Sequence, residues 1–189
     1  MKQVDLVVAT GGGAMVKAAY SSGTPAYGVG PGNAVQLLAE DADPVDAATK
    51  IAVSKAFDNA TSCSSENSVV AHGAVYAPFV AAMRERGAYL CSPEEKAKLQ
   101  AWLWVTGKDG HLGLNPKIIA RDAMTIASGA GIAVPAGTKM LMLEAADIPD
   151  REQFAQEKIA PVLTLWRCGS FYEGLALVVG ITDACGTGH

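Results

Sequence analysis

Short apolar runs that alternate with helix-like segments constrain the fold of this chain more than any other feature. Such runs fill residues 5–9, 68–71, 139–144 and 162–166, and glycine or proline punctuates the sequence between them. Runs this short suit buried strands, whereas the apolar residues between them recur at the 3.6-residue spacing of helices. Alternating strands and helices favour a parallel sheet. The sequence therefore predicts an α/β fold in which helices flank a mostly parallel sheet.

Capping residues mark two of the predicted helices. Asp43 precedes a proline and is a predicted helix cap. The apolar residues from Val45 to Phe57 follow close to helical spacing, so Val45 and Phe57 are expected on a buried face. Ser92 begins the pattern Ser-Pro-Glu-Glu, which has the form of a capping box. A last helix is predicted over residues 171–179.

Composition excludes several classes of function. The chain has 189 residues, half of them apolar, and only 18% of its residues are charged, so it can bury a sizeable core. Its net charge of −4 gives no basic face for nucleic acid. No apolar run is long enough for a signal peptide or a membrane span, so we expect a cytoplasmic protein without a membrane partner.

Four cysteines are spread along the chain without Cys-x-x-Cys pairs, and no histidine stands at ligand spacing beside them. This pattern favours free thiols in a reducing compartment and predicts no metal site. Cys91, Cys168 and Cys185 stand near a helix cap, a strand end and a terminal glycine-rich stretch. His72, His111 and His189 have no carboxylate pattern nearby, and ordinary surface or core roles are expected for them.

Cys63 differs from the other cysteines because its neighbours are small and polar. The stretch FDNATSCSSENS (residues 57–68) offers many hydrogen-bonding groups and little apolar packing. An inert structural cysteine usually lies among apolar groups, whereas a polar turn can aim N–H groups at a thiolate or an oxyanion. From these residues alone, Cys63 is either a catalytic thiol or an ordinary loop cysteine.

Two glycine-rich segments precede Cys63. TGGGAMV (residues 10–16) follows an apolar run and starts a helical pattern, so its N–H groups could bind a phosphate. It matches neither a P-loop nor a dinucleotide fingerprint, and a turn needed for tight packing explains it equally well. GVGPGN (residues 28–33) could let a ligand approach the backbone or could be an ordinary connection.

Four segments together resemble the CoA-acylating branch of the aldehyde dehydrogenase superfamily. FDNATSCSSENSVV resembles the cysteine segment of that branch, and residues 5–33 resemble its strand, glycine turn, helix and glycine loop. EKIAPVL (residues 157–163) resembles its Glu-x-x-x-Pro-Val segment, and GTGH (residues 186–189) its Gly-Leu-Gly-His segment. Within the branch, the Ala-Thr-Ser before Cys63 resembles members that oxidise sulfoacetaldehyde.

The resemblance implies a mechanism. The Cys63 thiolate would attack a small aldehyde, hydride would pass to NAD or NADP, and the resulting thioacyl-enzyme would acylate CoA. Glu157 would hold the nicotinamide ribose, and Thr10, Gly11 and Gly12 would lie near the cofactor phosphates. The family resemblance also implies a homo-oligomer in the cytoplasm or in a bacterial microcompartment.

Gly28 decides the acyl acceptor in this interpretation. Hydrolytic members carry a glutamate at the matching position, where it activates water. A glycine there favours transfer to CoA. The alternatives are a hydrolytic aldehyde dehydrogenase that releases the free acid and a non-catalytic α/β domain kept for binding or assembly.

The resemblance covers less than half of a whole family member. It implies that residues 1–25 are the last strand and helix of a cofactor-binding domain and that residues 26–189 are a catalytic domain shortened at its C-terminus. We therefore expect little dehydrogenase activity from these residues alone.

Overall fold

The computed structural model describes residues 1–107 and 110–186. No helix within these two ranges is long and apolar enough to cross a bilayer. Nine strands alternate with six α-helices in this part of the chain. In chain order they are β1 (Val7–Thr10), α1 (Gly13–Tyr20), β2 (Ala26–Val29), β3 (Val35–Leu38), α2 (Pro44–Ala56), β4 (Ser68–His72), α3 (Gly73–Glu85), β5 (Ala88–Leu90), α4 (Pro93–Leu103), β6 (Trp104–Thr106), β7 (Leu112–Leu114), α5 (Ala123–Gly129), β8 (Met140–Glu144), β9 (Val162–Cys168) and α6 (Phe171–Cys185).

The main sheet has five parallel strands in the order β3-β4-β9-β8-β5. β1 and β2 form a separate parallel pair, and β6 and β7 form an antiparallel pair. Helices connect most of the parallel strands, as parallel pairing requires. The predicted α/β fold with a mostly parallel sheet is confirmed.

Both faces of the main sheet are buried, which explains why its strands are almost uniformly apolar. Met140 and Met142 of β8 face the cluster formed with α2 and α3. Leu141 and Leu143 face the opposite cluster, to which α4 and α5 contribute. α6 covers β3, β4 and β9 on that second side. The sheet therefore forms the central layer of the fold.

The predicted caps are present, but the apolar face of α2 is not the predicted one. Asp43 accepts hydrogen bonds from the first amides of α2, and Ser92 completes a capping box with Glu95. Val45 is 52% exposed and Phe57 is 71% exposed, so placing both in the core was wrong. Val45 lies in the first turn, and Phe57 lies beyond the end of the helix.

Several elements depart from their predicted limits. The last helix continues to Cys185 rather than ending at residue 179. β3, β5 and the β6–β7 pair were not predicted, because three- and four-residue strands carry too short an alternation to recognise. The GTGH segment, including His189, lies outside the described residues from position 187 onward.

Candidate active site

One cavity collects the residues that the sequence singled out. It has a volume of about 470 Å³. It lies between the ends of β1 and β2 and the segments that precede β4 and β9. Residues 10–12, 30–31 and 61–63 form three of its walls, and Glu157 and Ile159 form the fourth. Cys63, Glu157, Thr10, Gly11 and Gly12 therefore surround a single space, although up to 147 positions separate them along the chain.

Cys63 lies on a tight polar turn. The Ser65 amide donates to the Ser62 carbonyl at 3.0 Å, and the Ser62 and Ser64 hydroxyls are 2.9 Å apart. The Cys63 side chain is exposed at this turn. Within the described part of the chain, its backbone N–H makes no hydrogen bond. That group is therefore available to an oxyanion formed on a substrate attached to the thiol.

An unusual backbone conformation leads into the cysteine turn. Asp58, Asn59 and Ala60 all have left-handed φ values, of 47°, 53° and 57°. The Thr61 hydroxyl donates to the Asp58 carbonyl at 2.9 Å and to its carboxylate at 2.6 Å. Asn59 donates to the Ala120 carbonyl at 3.2 Å. Three consecutive non-glycine residues in this region cost about 1–2 kcal/mol each, and such strain persists at functional sites.

The wall formed by residues 10–12, the glycine wall, can hold an anion. Thr10 ends β1, and α1 begins at Gly13 with Gly12 as its N-cap residue. Among residues 1–107 and 110–186, no side chain caps this helix, and its first turn holds no acidic residue. A Cβ built on Gly12 or Gly30 would meet no atom within 4 Å. Free helix N–H groups beside open space are the arrangement that binds phosphate groups of nucleotides.

The glutamate wall alternates between the cavity and the core. Glu157 and Ile159 line the cavity, whereas Lys158 between them is fully buried. Ile159 has a φ of 44°, which is strained for a β-branched residue. Lys158 Nζ donates to the carbonyl of Phe154 at 2.6 Å and to the hydroxyl of Thr164 at 3.1 Å. Burial holds the pKa of Lys158 well below its usual range, and the charge of Lys55 lowers it further.

A second buried lysine, Lys55, lies behind the site and was not predicted from the sequence. Lys55 is 2% exposed, on the buried face of α2 with Ala48, Ile51 and Ala52. Burial lowers its pKa from 10.5 to about 7, and the carboxylates of Glu66 and Glu157 oppose that shift. Its position four residues after Ile51 was the available signal, because helical spacing places it on the core face.

The remaining candidates lie elsewhere. His72 is at the carboxyl end of β4, opposite the cysteine turn, where its Nε2 is 3.0 Å from the Gly169 carbonyl oxygen. Cys91 and Cys168 are buried, and Cys185 is partly buried; all are free thiols. Burial raises the pKa of the Cys91 thiol to about 12. None of these residues lines the cavity.

Gly28 lies inside β2 and leaves no room for a side chain. A Cβ built there would be 2.6 Å from Val16 Cγ1 and 2.8 Å from the Tyr20 ring. The Gly28 amide also donates to the Tyr20 hydroxyl at 3.0 Å. A glutamate at this position would first have to displace α1 side chains.

Comparison with known proteins finds similar chains. No protein-family model matches the chain. Along its full length it is nevertheless similar to acylating aldehyde dehydrogenases. An acetylating aldehyde dehydrogenase from Geobacillus thermoglucosidasius shares its fold with a TM-score of 0.91 and 37% identity, over 100% of this chain and 40% of that one.

Among curated relatives, a sulfoacetaldehyde dehydrogenase from Acholeplasma sp is 51% identical over 189 residues, which are 100% of this chain and 39% of the relative. A propionaldehyde dehydrogenase structure from Rhodopseudomonas palustris, with bound CoA and an acylated cysteine, matches with a TM-score of 0.84 and 28% identity, over 96% of this chain and 40% of that one. The chain thus spans about two fifths of the length of each of these three relatives.

Proposed function

We propose that this chain forms the thiol-bearing part of an NAD(P)-dependent, CoA-acylating aldehyde dehydrogenase. The observation that carries the proposal is the convergence of Cys63, Glu157 and the Thr10–Gly12 turn on one cavity. Homology to acylating enzymes along the whole chain supports the same conclusion. We assign residues 1–25 to the cofactor-binding domain and residues 26–189 to the catalytic domain. The pairing of β1 with β2 then joins the two domains.

Cys63 is the proposed nucleophile. Its thiolate attacks the aldehyde carbon to form a C–S bond, and the carbonyl electron pair moves to oxygen, where the Cys63 N–H can donate to it. When bound, NAD(P)⁺ supplies the acceptor for the hydride that leaves this carbon. Cys63 then carries a thioester. The thiol of CoA, after losing its proton, attacks that thioester and releases the Cys63 thiolate.

Glu157 and the glycine wall would hold the cofactor. The Glu157 carboxylate faces the same cavity as Cys63 and can accept hydrogen bonds from ribose hydroxyls. The start of α1 can receive a phosphate, since Gly12 offers free space and no capping side chain. These residues would hold a nucleotide in the cavity that Cys63 also lines.

The glycine at position 28 supports CoA as the acyl acceptor. Without a carboxylate there, water lacks the general base that typically contributes about 10²–10⁴-fold to rate. The contacts of Val16 and Tyr20 close the space that such a side chain would need. The similarity to a sulfoacetaldehyde dehydrogenase favours a small sulfonated aldehyde as substrate. We infer a homo-oligomeric parent protein located in the cytoplasm or in a bacterial microcompartment.

Product analysis tests the proposal. The protein that carries this chain, given sulfoacetaldehyde, NAD(P)⁺ and CoA, should yield the acyl-CoA, and Cys63→Ala should abolish the product. Cys91→Ala is the matched control, because that thiol lies outside the cavity. Free acid formed at the same rate with or without CoA would instead establish the hydrolytic alternative. Full activity in Cys63→Ala would contradict the assignment of the nucleophile.

A further inference from the structure

Asn67 joins three walls of the cavity from behind. The residue is 3% exposed and follows Cys63 by four positions. Its side-chain amide donates to the Gln156 carbonyl at 2.8 Å, to Asn33 Oδ1 at 2.9 Å and to the Ala155 carbonyl at 3.0 Å. One side chain of the cysteine segment therefore binds both the glycine loop (residues 28–33) and the glutamate segment (residues 154–160).

The acceptor groups of Asn67 complete this connection. Asn67 Oδ1 accepts from the Lys158 backbone N–H at 3.2 Å, and its backbone carbonyl accepts from Lys158 Nζ at 3.2 Å. The Asn67 contacts to Gln156 and Lys158 thus lie on either side of Glu157. The glutamate can move relative to Asn67 only if several buried hydrogen bonds break together.

Asn33 closes the network from the glycine loop. Its side-chain amide donates to the Ala155 carbonyl at 2.6 Å, the same oxygen that accepts from Asn67. Asn33 is 9% exposed. The two asparagines and the glutamate segment therefore form one buried hydrogen-bonded unit directly behind the cavity.

We propose that Asn67 is a positioning residue that sets the separation between the Cys63 turn and the Glu157 segment. The inference rests on the proposed function and deepens it. The Cys63 side chain is exposed, whereas Asn67, four positions later, is buried and bonds to the opposite wall through Ala155 and Gln156. An amide is required because only it offers donors and an acceptor in one short side chain.

Hydrogen exchange of Asn67→Asp tests the positioning directly on this chain. The carboxylate keeps the shape and the acceptor but lacks the donors for three bonds. Asn115→Asp is the matched control, because Asn115 is 5% exposed and bridges backbone groups of Trp102 and Lys117 away from the cavity. We expect exchange at residues 61–66 and 154–160 to rise at least about tenfold in Asn67→Asp. Equal exchange at these segments in both variants would refute the proposal.

Steady-state kinetics separate positioning from a loss of stability. In the protein that carries this chain, Asn67→Asp should raise KM for NAD(P)⁺ about tenfold and lower kcat. Alkylation of Cys63 should change less than about threefold, because Asn67 does not touch the thiol. The buried Cys91 and Cys168 report on global opening and should stay protected. An unchanged KM, with kcat reduced only by the unfolded fraction, would overturn the proposal.

Asn33→Ser is the second variant, to be used if Asn67→Asp does not fold. This variant removes the donor to Ala155 and the acceptor for Asn67, and a smaller increase in exchange at residues 154–160 is expected. No increase would count against the network. If the wild-type protein forms no acyl-CoA, the proposed function fails, whereas the exchange comparison still decides whether Asn67 positions the two walls.

Discussion

Replacement of Lys55 by methionine should stabilise this chain at neutral pH. Lys55 is 2% exposed, and burial lowers the pKa of its amine from 10.5 to about 7. The unfolded chain therefore binds a proton at Lys55 throughout a pH range in which the folded chain has released it. Methionine has a similar length and cannot be protonated, so it removes this cost of folding.

The magnitude follows from the two pKa values. Where the unfolded state binds one proton more than the folded state, the free energy of unfolding rises by about 1.4 kcal/mol per pH unit. Stability from Lys55 is thus regained as pH rises from about 7 toward 10.5. At pH 7 the cost is roughly 4 kcal/mol, and about 2 kcal/mol of it disappears by pH 9. Imperfect packing of methionine would offset about 1 kcal/mol of the gain.

Urea unfolding at pH 7, 8 and 9 measures this effect in the wild type and in Lys55→Met. The variant should be more stable at pH 7, and the difference from wild type should shrink by about 2 kcal/mol by pH 9. Lys50→Met is the matched control, because Lys50 lies on the same helix with a side chain that is 75% exposed. That variant should follow the wild-type pH dependence.

Two results would refute the reasoning about Lys55. A difference between Lys55→Met and wild type that stays constant from pH 7 to pH 9 would mean that the amine does not titrate there. A variant less stable than wild type at pH 7 would mean that the electrostatic attraction of Lys55 to Glu66 and Glu157 outweighs burial. Comparing each variant with wild type cancels the titration of the cysteines and tyrosines.

Three further outcomes test other parts of the structure. Gly28→Ala should cost about 1–3 kcal/mol by overpacking against α1, whereas Gly30→Ala, whose Cβ meets nothing, should stay within about 1 kcal/mol in the same unfolding assay. Ser92→Ala should lower the free energy of unfolding by about 1 kcal/mol, and no change would contradict the capping box. Iodoacetamide at pH 8 should label exposed Cys63 well before Cys91, whose pKa is raised to about 12 by burial; the reverse order, read by mass spectrometry, would contradict the structure.

The architecture and much of the candidate site were accessible from the sequence. Alternating runs predicted the parallel sheet, and the caps at Asp43 and Ser92 were placed correctly because capping chemistry is local. The polar setting of Cys63 also predicted its exposed turn. Short strands such as β3 escaped prediction, and so did the exposure of Phe57, because the chain leaves the helix at that residue.

The sequence alone determined the class of fold and the main helix starts, because periodicity and capping depend on neighbours a few residues apart. The segments that surround the cavity were indicated by the family resemblance of residues 5–33, 57–70 and 157–163. Only the tertiary structure decided which side chains support those segments from behind. Asn33 and Asn67 meet the glutamate segment across 122 and 88 positions, and Lys55 is buried where α2 packs on α3. Contacts between segments so distant leave no regular spacing in either one, so their partners become visible only when the sheet brings them together.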